Sequence, residues 1–231
     1  MTAEAPPSAP PQSPPASPPA PAGGLAGAAH DRLYRGLRQR IMHGEIDPGT
    51  PLTLRGIAAE HGVSMTPARE ALRRLVAEGA LTLSASGRVR APLLSGERIE
   101  ELAAIRAMLE PELASRALPR AHLALIERLE AIDGQLAAIT RAGDAVGYIR
   151  TNLDFHRTLY LRARAPAMLA LAETVWLQLG PTMRTLYGRL GRTHPPRHHA
   201  LIVAALRAGD APGLRLAVRA DVTQGLRLLM G

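Results

Sequence analysis

The chain has 231 residues, 46% of them hydrophobic, a formal net charge of +8 and no cysteine. That is enough for two modest domains with real cores, and it excludes disulfides, a thiolate nucleophile and cysteine-ligated zinc. No apolar run is long enough to span a membrane and the N-terminus lacks the basic start and apolar stretch of a secretory signal, so a soluble cytoplasmic protein with no membrane partner is expected.

All 28 basic residues are arginine, and the positive balance favours polyanionic partners by raising their local concentration and association rate. Residues 1–29 are dominated by Pro, Ala, Ser and Gly. They cannot bury enough apolar surface to offset ordering entropy, so a disordered tail is expected there, with proline-run peptide recognition as the alternative. From His30, DRLYRGLRQRIMHGEI places Leu33, Leu37, Ile41 and Met42 at helical spacing. Asp47-Pro48-Gly49 breaks the chain. PLTLRGIAAEHGV predicts a short helix ending at Gly62, and TPAREALRRLVAEGA another ending near Gly79. LTLSASGRVRAP then alternates around a Ser-Ala-Ser-Gly turn, as a β-hairpin does. Three helices followed by a hairpin over residues 30–92 describe a winged helix-turn-helix.

Beyond Pro92 the strand signals vanish. Helical patterns cover roughly 95–117, 119–140, 144–164, 167–190, 195–208 and 211–230, punctuated by Pro119, Gly143, Pro166, Pro195-Pro196 and Gly209. The 119–140 pattern carries a stripe of Leu123, Ile126, Leu129, Ile132, Leu136 and Ile139. Residues 93–231 therefore form an all-helical second domain, and the fold class is mainly α.

The chemistry-bearing stretch of the first domain is VSMTPAREALRRLV. Thr66 suits an N-cap and Pro67 the first helical position, which puts Arg69 in the first turn, where the helix dipole disfavours a cation. Arg73 follows one turn later on the same face, while Leu72, Leu75 and Val76 point inward and Arg74 is the more structural arginine. In a helix-turn-helix the second helix presents its first residues to base edges, and an arginine there can fork to guanine O6 and N7. A base or phosphate partner would offset the poor dipole placement of Arg69; the plain alternative is a solvated basic face. Arg55, near the start of the preceding helix, reaches the same groove or its flanking phosphates. Arg88 and Arg90 on the hairpin are phosphate or minor-groove candidates, with one of the two expected to turn to the other face.

The segment RGIAAEHGVSMTPAREALRRLVAEGALTLSASGRV resembles the winged-helix domain of GntR-superfamily transcription regulators. The match runs through Arg55, Ala58, Gly62, Val63, Ser64, Thr66, Pro67, Arg69, Glu70, Ala71, Leu72, Arg74, Leu75, Glu78 and Gly79. The resemblance implies that Arg55 and Arg69 contact operator bases and that Ser64 and Thr66 lie on the reading surface. Glu70 is read as orienting a neighbouring arginine or capping the fold, with base contact as the alternative. Met65 is the departure: many members carry a further arginine there, so this chain should read a different operator.

The helices that follow resemble the FCD effector-binding domain of the FadR-like branch, through RAMLEPELASRA at 106–117, NLDFHRTLY at 152–160, HHALIVAAL at 198–206 and ADV at 220–222. Many such domains hold a divalent metal with one Asp and three His. Carried over by position, that set becomes Asn152, His156, His199 and Asp221, with Asp154 and His198 as alternative inward partners. Two imidazoles and one carboxylate still suit Zn²⁺ or another divalent first-row ion. The resemblance also implies a small carboxylate effector in the same cavity, near Arg106, Asn152, His156 and His199. Arg106 either faces that carboxylate or pairs with Glu110 or Glu101. Trp176 is read as core or interface packing, with ligand contact as the alternative, and Tyr187 as a neighbour on the same helix.

These readings lead to a ligand-responsive regulator, a repressor, that binds a pseudo-palindromic DNA operator as a homodimer and is released or repositioned by its effector. A metal-dependent helical enzyme fused to a DNA-binding-like module is the alternative, using His156, His199 and Asp221, although no general base at defined spacing accompanies those ligands.

Overall fold

Helix α1 (Gly23–Met42) opens the described chain; the computed structural model describes residues 23–190 and 198–227. It starts inside the segment expected to be a tail, where Leu25, Ala26, Ala28 and Ala29 are good helix formers. Residues 1–22 of that expected tail lie outside the described residues. Leu33, Tyr34, Leu37, Ile41 and Met42 form the buried face of α1. The next pattern was expected to be helical from Pro51, but Pro51–Leu52 form a strand, β1, and α2 spans only Leu54–Glu60. Thr53 makes the boundary: its extended backbone ends the strand and its hydroxyl accepts from Gly56 N–H at the helix start.

Helix α3 covers Met65–Ala77. Its N-cap is Ser64, with extended φ and ψ, and not Thr66 as the sequence suggested. Pro67 is therefore third in the helix. Every N–H of the first turn lacks an intrahelical acceptor, so proline fits anywhere in it and does not mark the first position. The wing consists of β2 (Thr82–Leu83) and β3 (Val89–Arg90), and β1 joins it to give a three-stranded antiparallel sheet in the order β1-β3-β2. Leu52 pairs with Val89, and Val89 with Leu83. Gly87, at φ 75°, closes the turn between β2 and β3.

The second half comprises α4 (Gly96–Ala117), α5 (Leu123–Ala142), α6 (Ala145–Tyr160), α7 (Pro166–Leu190), α8 (His198–Ala208) and α9 (Ala211–Arg227). Short 3-10 turns at Leu118–Arg120 and Leu161–Ala163 replace the start and the end of two expected helices. The side chain of His122 caps α5 by accepting from Leu125 N–H. That helix buries Ile126, Leu129, Ile132 and Leu136, whereas Leu123, expected in the same stripe, lies on the cap turn and is exposed. The expected helical residues 195–197 and 228–230 lie outside the described residues.

One apolar core runs through both halves, from Leu33, Leu37 and Leu75 to Leu129, Phe155 and Val218. The halves meet where α7 crosses the end of α1. Gly180 allows this: a Cβ there would lie 2.1 Å from the carbonyl oxygen of Ile41. Polar contacts surround that crossing. Gln178 donates to the backbone oxygen of Glu78 at 3.0 Å and accepts from Arg98 at 2.9 Å. Arg184 donates to Gly44 O at 3.1 Å and pairs with Asp47 at 2.7 Å, and Arg150 pairs with Glu45 at 3.1 Å.

Candidate functional site

The DNA-facing candidates share one exposed surface chemistry. The N-cap Ser64 and Met65, Thr66, Arg69 and Arg73 of α3 are all exposed, as are Arg55 at the second position of α2 and Arg88 on the wing. Met65, Arg69 and Arg73 recur every fourth residue and so share a face; the opposite face buries Ala68, Ala71, Leu72 and Leu75. Arg69 is the fifth helical residue, not a first-turn one, so the dipole penalty assigned to it from sequence is small. Arg73 lies 3.6 Å from Glu70. Arg74 has a structural place: its guanidinium sits 3.7 Å from the centroid of the Tyr34 ring and within 3.5 Å of Glu78. Arg88 and Arg90 are both exposed, because residues two apart in a strand share a face, and Val89 between them packs inward. The expectation that one of the two turns away was therefore wrong. Among the described residues, Arg55, Arg69, Arg88 and Arg90 have no ion-pair partner.

In the second half, α6, α8 and α9 bring His156, His199 and Asp221 together, with one potential ligand atom from each within 4.8 Å of the others. His156 and His199 are fully buried. Nε2 of His156 lies 2.9 Å from Asp221 Oδ2, and Nε2 of His199 lies 3.8 Å from Oδ1. Neither nitrogen has a hydrogen-bond partner. The far sides of both rings are occupied. Tyr160 donates its only proton to Glu110 Oε2 at 3.0 Å, so its oxygen must accept from His156 Nδ1–H at 3.1 Å. Asp133 accepts from Nδ1–H of His199 at 3.1 Å. With both protons on Nδ1, two Nε2 lone pairs and a carboxylate converge on one point. Three acceptors facing each other require a cation between them or protonation of the rings. The set therefore fits a divalent ion held by two imidazoles and a carboxylate, each ring oriented from behind by its own partner. Without an ion, protonated rings answer the carboxylate instead: burial would raise the pKa of Asp221, but the hydrogen bond and charge of His156 first, then His199 and Arg106, lower it to about 2.

Behind His156 lies a buried ionic network. Arg106 donates to Glu110 Oε1 at 2.6 Å, and Trp176 donates to the same oxygen at 3.0 Å. Glu110 is fully buried; burial pushes its pKa up, but the Arg106 charge, His156 and the two donors bring it below the usual carboxylate range. Arg106 thus pairs with Glu110, while Glu101 pairs with Arg98.

Arg106 and Asn152 also line a small cavity with Met42, Tyr148, Ile149, Leu153, Trp176, Leu179 and Met183. The four residues expected around an effector are thus divided: Arg106 and Asn152 face this cavity, whereas His156 and His199 belong to the triad beside it. Of the four expected metal ligands, His156, His199 and Asp221 converge, and Asn152, one turn before His156, lines the cavity. Asp154 is exposed, and His198 bonds Gln224, so neither is the inward partner. Trp176 is both core and cavity wall, and Tyr187 stacks on Tyr148 with ring centroids 4.3 Å apart. The sequence reading missed Asp133, Tyr148, Tyr160 and Met42. Only Tyr160 left a signal, four residues beyond His156.

Comparison with known proteins places the chain in a family. Residues 29–90 match the family described as bacterial regulatory proteins, gntR family, and residues 101–224 match the FCD domain. The HTH-type transcriptional regulator McbR of Escherichia coli is 28% identical over 197 residues, covering 84% of this chain and 89% of that protein. The gluconate operon transcriptional repressor of Bacillus subtilis is 31% identical over 149 residues, covering 64% of this chain and 59% of that protein. The solved structure of E. coli McbR/YncC superposes with a TM-score of 0.80 at 26% identity, covering 87% of this chain and 96% of that one. With a gntR-family segment joined to an FCD domain, the chain belongs to the GntR family of transcription regulators, in the branch that carries an FCD domain, and is not an enzyme.

Proposed function

We propose that the chain is an effector-responsive repressor that binds a pseudo-palindromic operator as a homodimer and is released by a small carboxylate held beside a divalent metal. Arg55, Arg69 and Arg73 read the groove, with Arg88 on the adjacent backbone; Ser64, Met65 and Thr66 line the entry of the reading helix. Two winged helices related by a two-fold axis explain the expected operator symmetry. His156, His199 and Asp221 hold the ion, and Asn152 and Arg106 present an amide and a guanidinium to the effector. When bound, a first-row ion such as Zn²⁺ supplies positive charge that an anionic effector can answer. Asp133 and Tyr160 fix the two imidazole rings, and the Arg106–Glu110 pair keeps the guanidinium in place.

One observation carries the metal reading: two buried imidazole nitrogens without hydrogen bonds point at one carboxylate. The test is metal analysis of the purified protein together with thermal denaturation in ZnCl2. Near-stoichiometric metal is expected, with a rise in Tm that EDTA reverses and that His156→Ala or Asp221→Ala abolishes. Equal Zn²⁺ stabilisation of those variants would sink the assignment.

A further inference from the structure

The cavity beside the triad has a wall that belongs to the DNA-binding half. Met42, the last residue of α1, lines it together with residues of α4, α6 and α7. The cavity volume is about 20 Å³, which is room for about one water molecule. Anything the size of a carboxylate with even one carbon attached must push a wall back.

The walls are not equally free. Arg106 and Trp176 are both tied to Glu110, which is buried and also accepts a hydrogen bond from Tyr160. Leu179 is 1% exposed and packs with Ile99, Leu102, Val175 and Leu226. Met42 has a flexible thioether chain and stands at a helix end, followed by Gly44 at φ 68°. Behind Met42 the backbone has nowhere to retreat within the effector half. The Ile41 carbonyl already presses on Gly180, and a Cβ on Gly44 would meet Ile149 at 2.9 Å and Gly180 O at 3.0 Å. Displacing Met42 therefore moves the end of α1, and α1 packs along α3.

We infer that Met42 is the residue through which the reading head senses the effector: the ligand's apolar end wedges against Met42 and shifts α1, and with it the reading helix. This rests on the effector reading above and adds a ligand class, a monocarboxylate with a short apolar body. The lining supplies one guanidinium and one amide; the Trp176 N–H is used by Glu110, and the remaining side chains are apolar apart from the Tyr148 hydroxyl. With the ion and Arg106 both committed to the one carboxylate, a second carboxylate would face only walls that are apolar apart from that hydroxyl.

The test uses the full chain with ZnCl2 and the sodium salts of acetate, propionate, butyrate, hexanoate and octanoate. Binding is read by thermal shift, and operator affinity by anisotropy on duplexes selected by the wild-type protein. The wild type should bind the short acids and change operator affinity by roughly 5- to 150-fold. Met42→Ala should extend binding to longer acids and reduce that change to within about twofold. Leu179→Ala, which enlarges the same cavity from the effector side, should accept longer acids and keep the full change. Met42→Val, with the same expectation as Met42→Ala, serves if the alanine variant does not fold. Undiminished coupling in a folded Met42 variant overturns the inference while leaving the effector reading intact. Failure of the wild type to bind any of these acids overturns the carboxylate reading and the inference with it.

Discussion

Glu110 shows how a single residue can organise a site it does not ligate. It accepts from Arg106, Tyr160 and Trp176, and the Tyr160 contact in turn fixes which nitrogen of His156 is left bare. Removing the guanidinium leaves a buried, uncompensated carboxylate, which typically costs about 3–5 kcal/mol. Arg106→Ala should therefore lower stability at pH 7 by about that much, measured by urea unfolding. The pH dependence follows from the sign of the shift. In the wild type the folded pKa of Glu110 is depressed, so its contribution is present above the unfolded carboxylate value of about 4.3 and is lost as pH falls through the lower folded value. In the variant, burial is no longer opposed by Arg106, the folded pKa rises, and the charged form is the costly one. The stability gap between variant and wild type should narrow as pH falls from 7 towards 5. A gap that stays constant would remove Glu110 from the account. The Arg106–Glu110 pair was visible in the sequence as an i, i+4 spacing, but its burial was not, because that depends on Trp176 and Tyr160 arriving from two other helices.

Helix α3 is the element whose burial pattern was most legible. Its apolar spacing predicted the buried leucines, and Arg69 and Arg73 fell on the opposite, exposed face as expected. Its start was misjudged because Ser64, Thr66 and Pro67 are all good N-terminal residues, and only the backbone turn at Ser64 decides among them. The corrected register puts Arg69 one turn above Met65 on the exposed face. Arg69→Ala should weaken specific operator binding by about 1–3 kcal/mol, with much less effect on unrelated DNA at the same salt; anisotropy titrations of both duplexes measure it. Equal losses on both would make Arg69 a phosphate contact. Helices α5 and α6 were recognised from the same periodicity, and their ends were not, since a 3-10 turn consumes three residues without changing the apolar pattern. Asp133 was illegible for a different reason. It sits on the partly exposed side of α5, and nothing in its own segment reports that His199 will come to rest beside it.

Across the whole molecule, the two halves were legible as separate patterns but their junction was not. Gly180 reads in sequence as an interior helix glycine, a mild liability. In the fold it is where α1 and α7 touch. Gly180→Ala places a methyl group against the Ile41 carbonyl and should destabilise by about 1–3 kcal/mol through forced separation. Limited proteolysis after α1 should accelerate, and thermal unfolding should lose cooperativity between the halves. An unchanged melting profile would show that the crossing tolerates the methyl group. A boundary at residue 92 therefore divides the chain more cleanly on paper than in space, because the apolar core and the α1–α7 crossing both disregard it. For anyone building a biosensor by recombining heads and effector modules from different regulators, the unit to transplant is not a stretch of sequence. If the proposed coupling runs through this crossing, an incoming head must bring an α1 whose last carbonyls can lie against Gly180, or the hybrid's ligand and promoter sites will work independently.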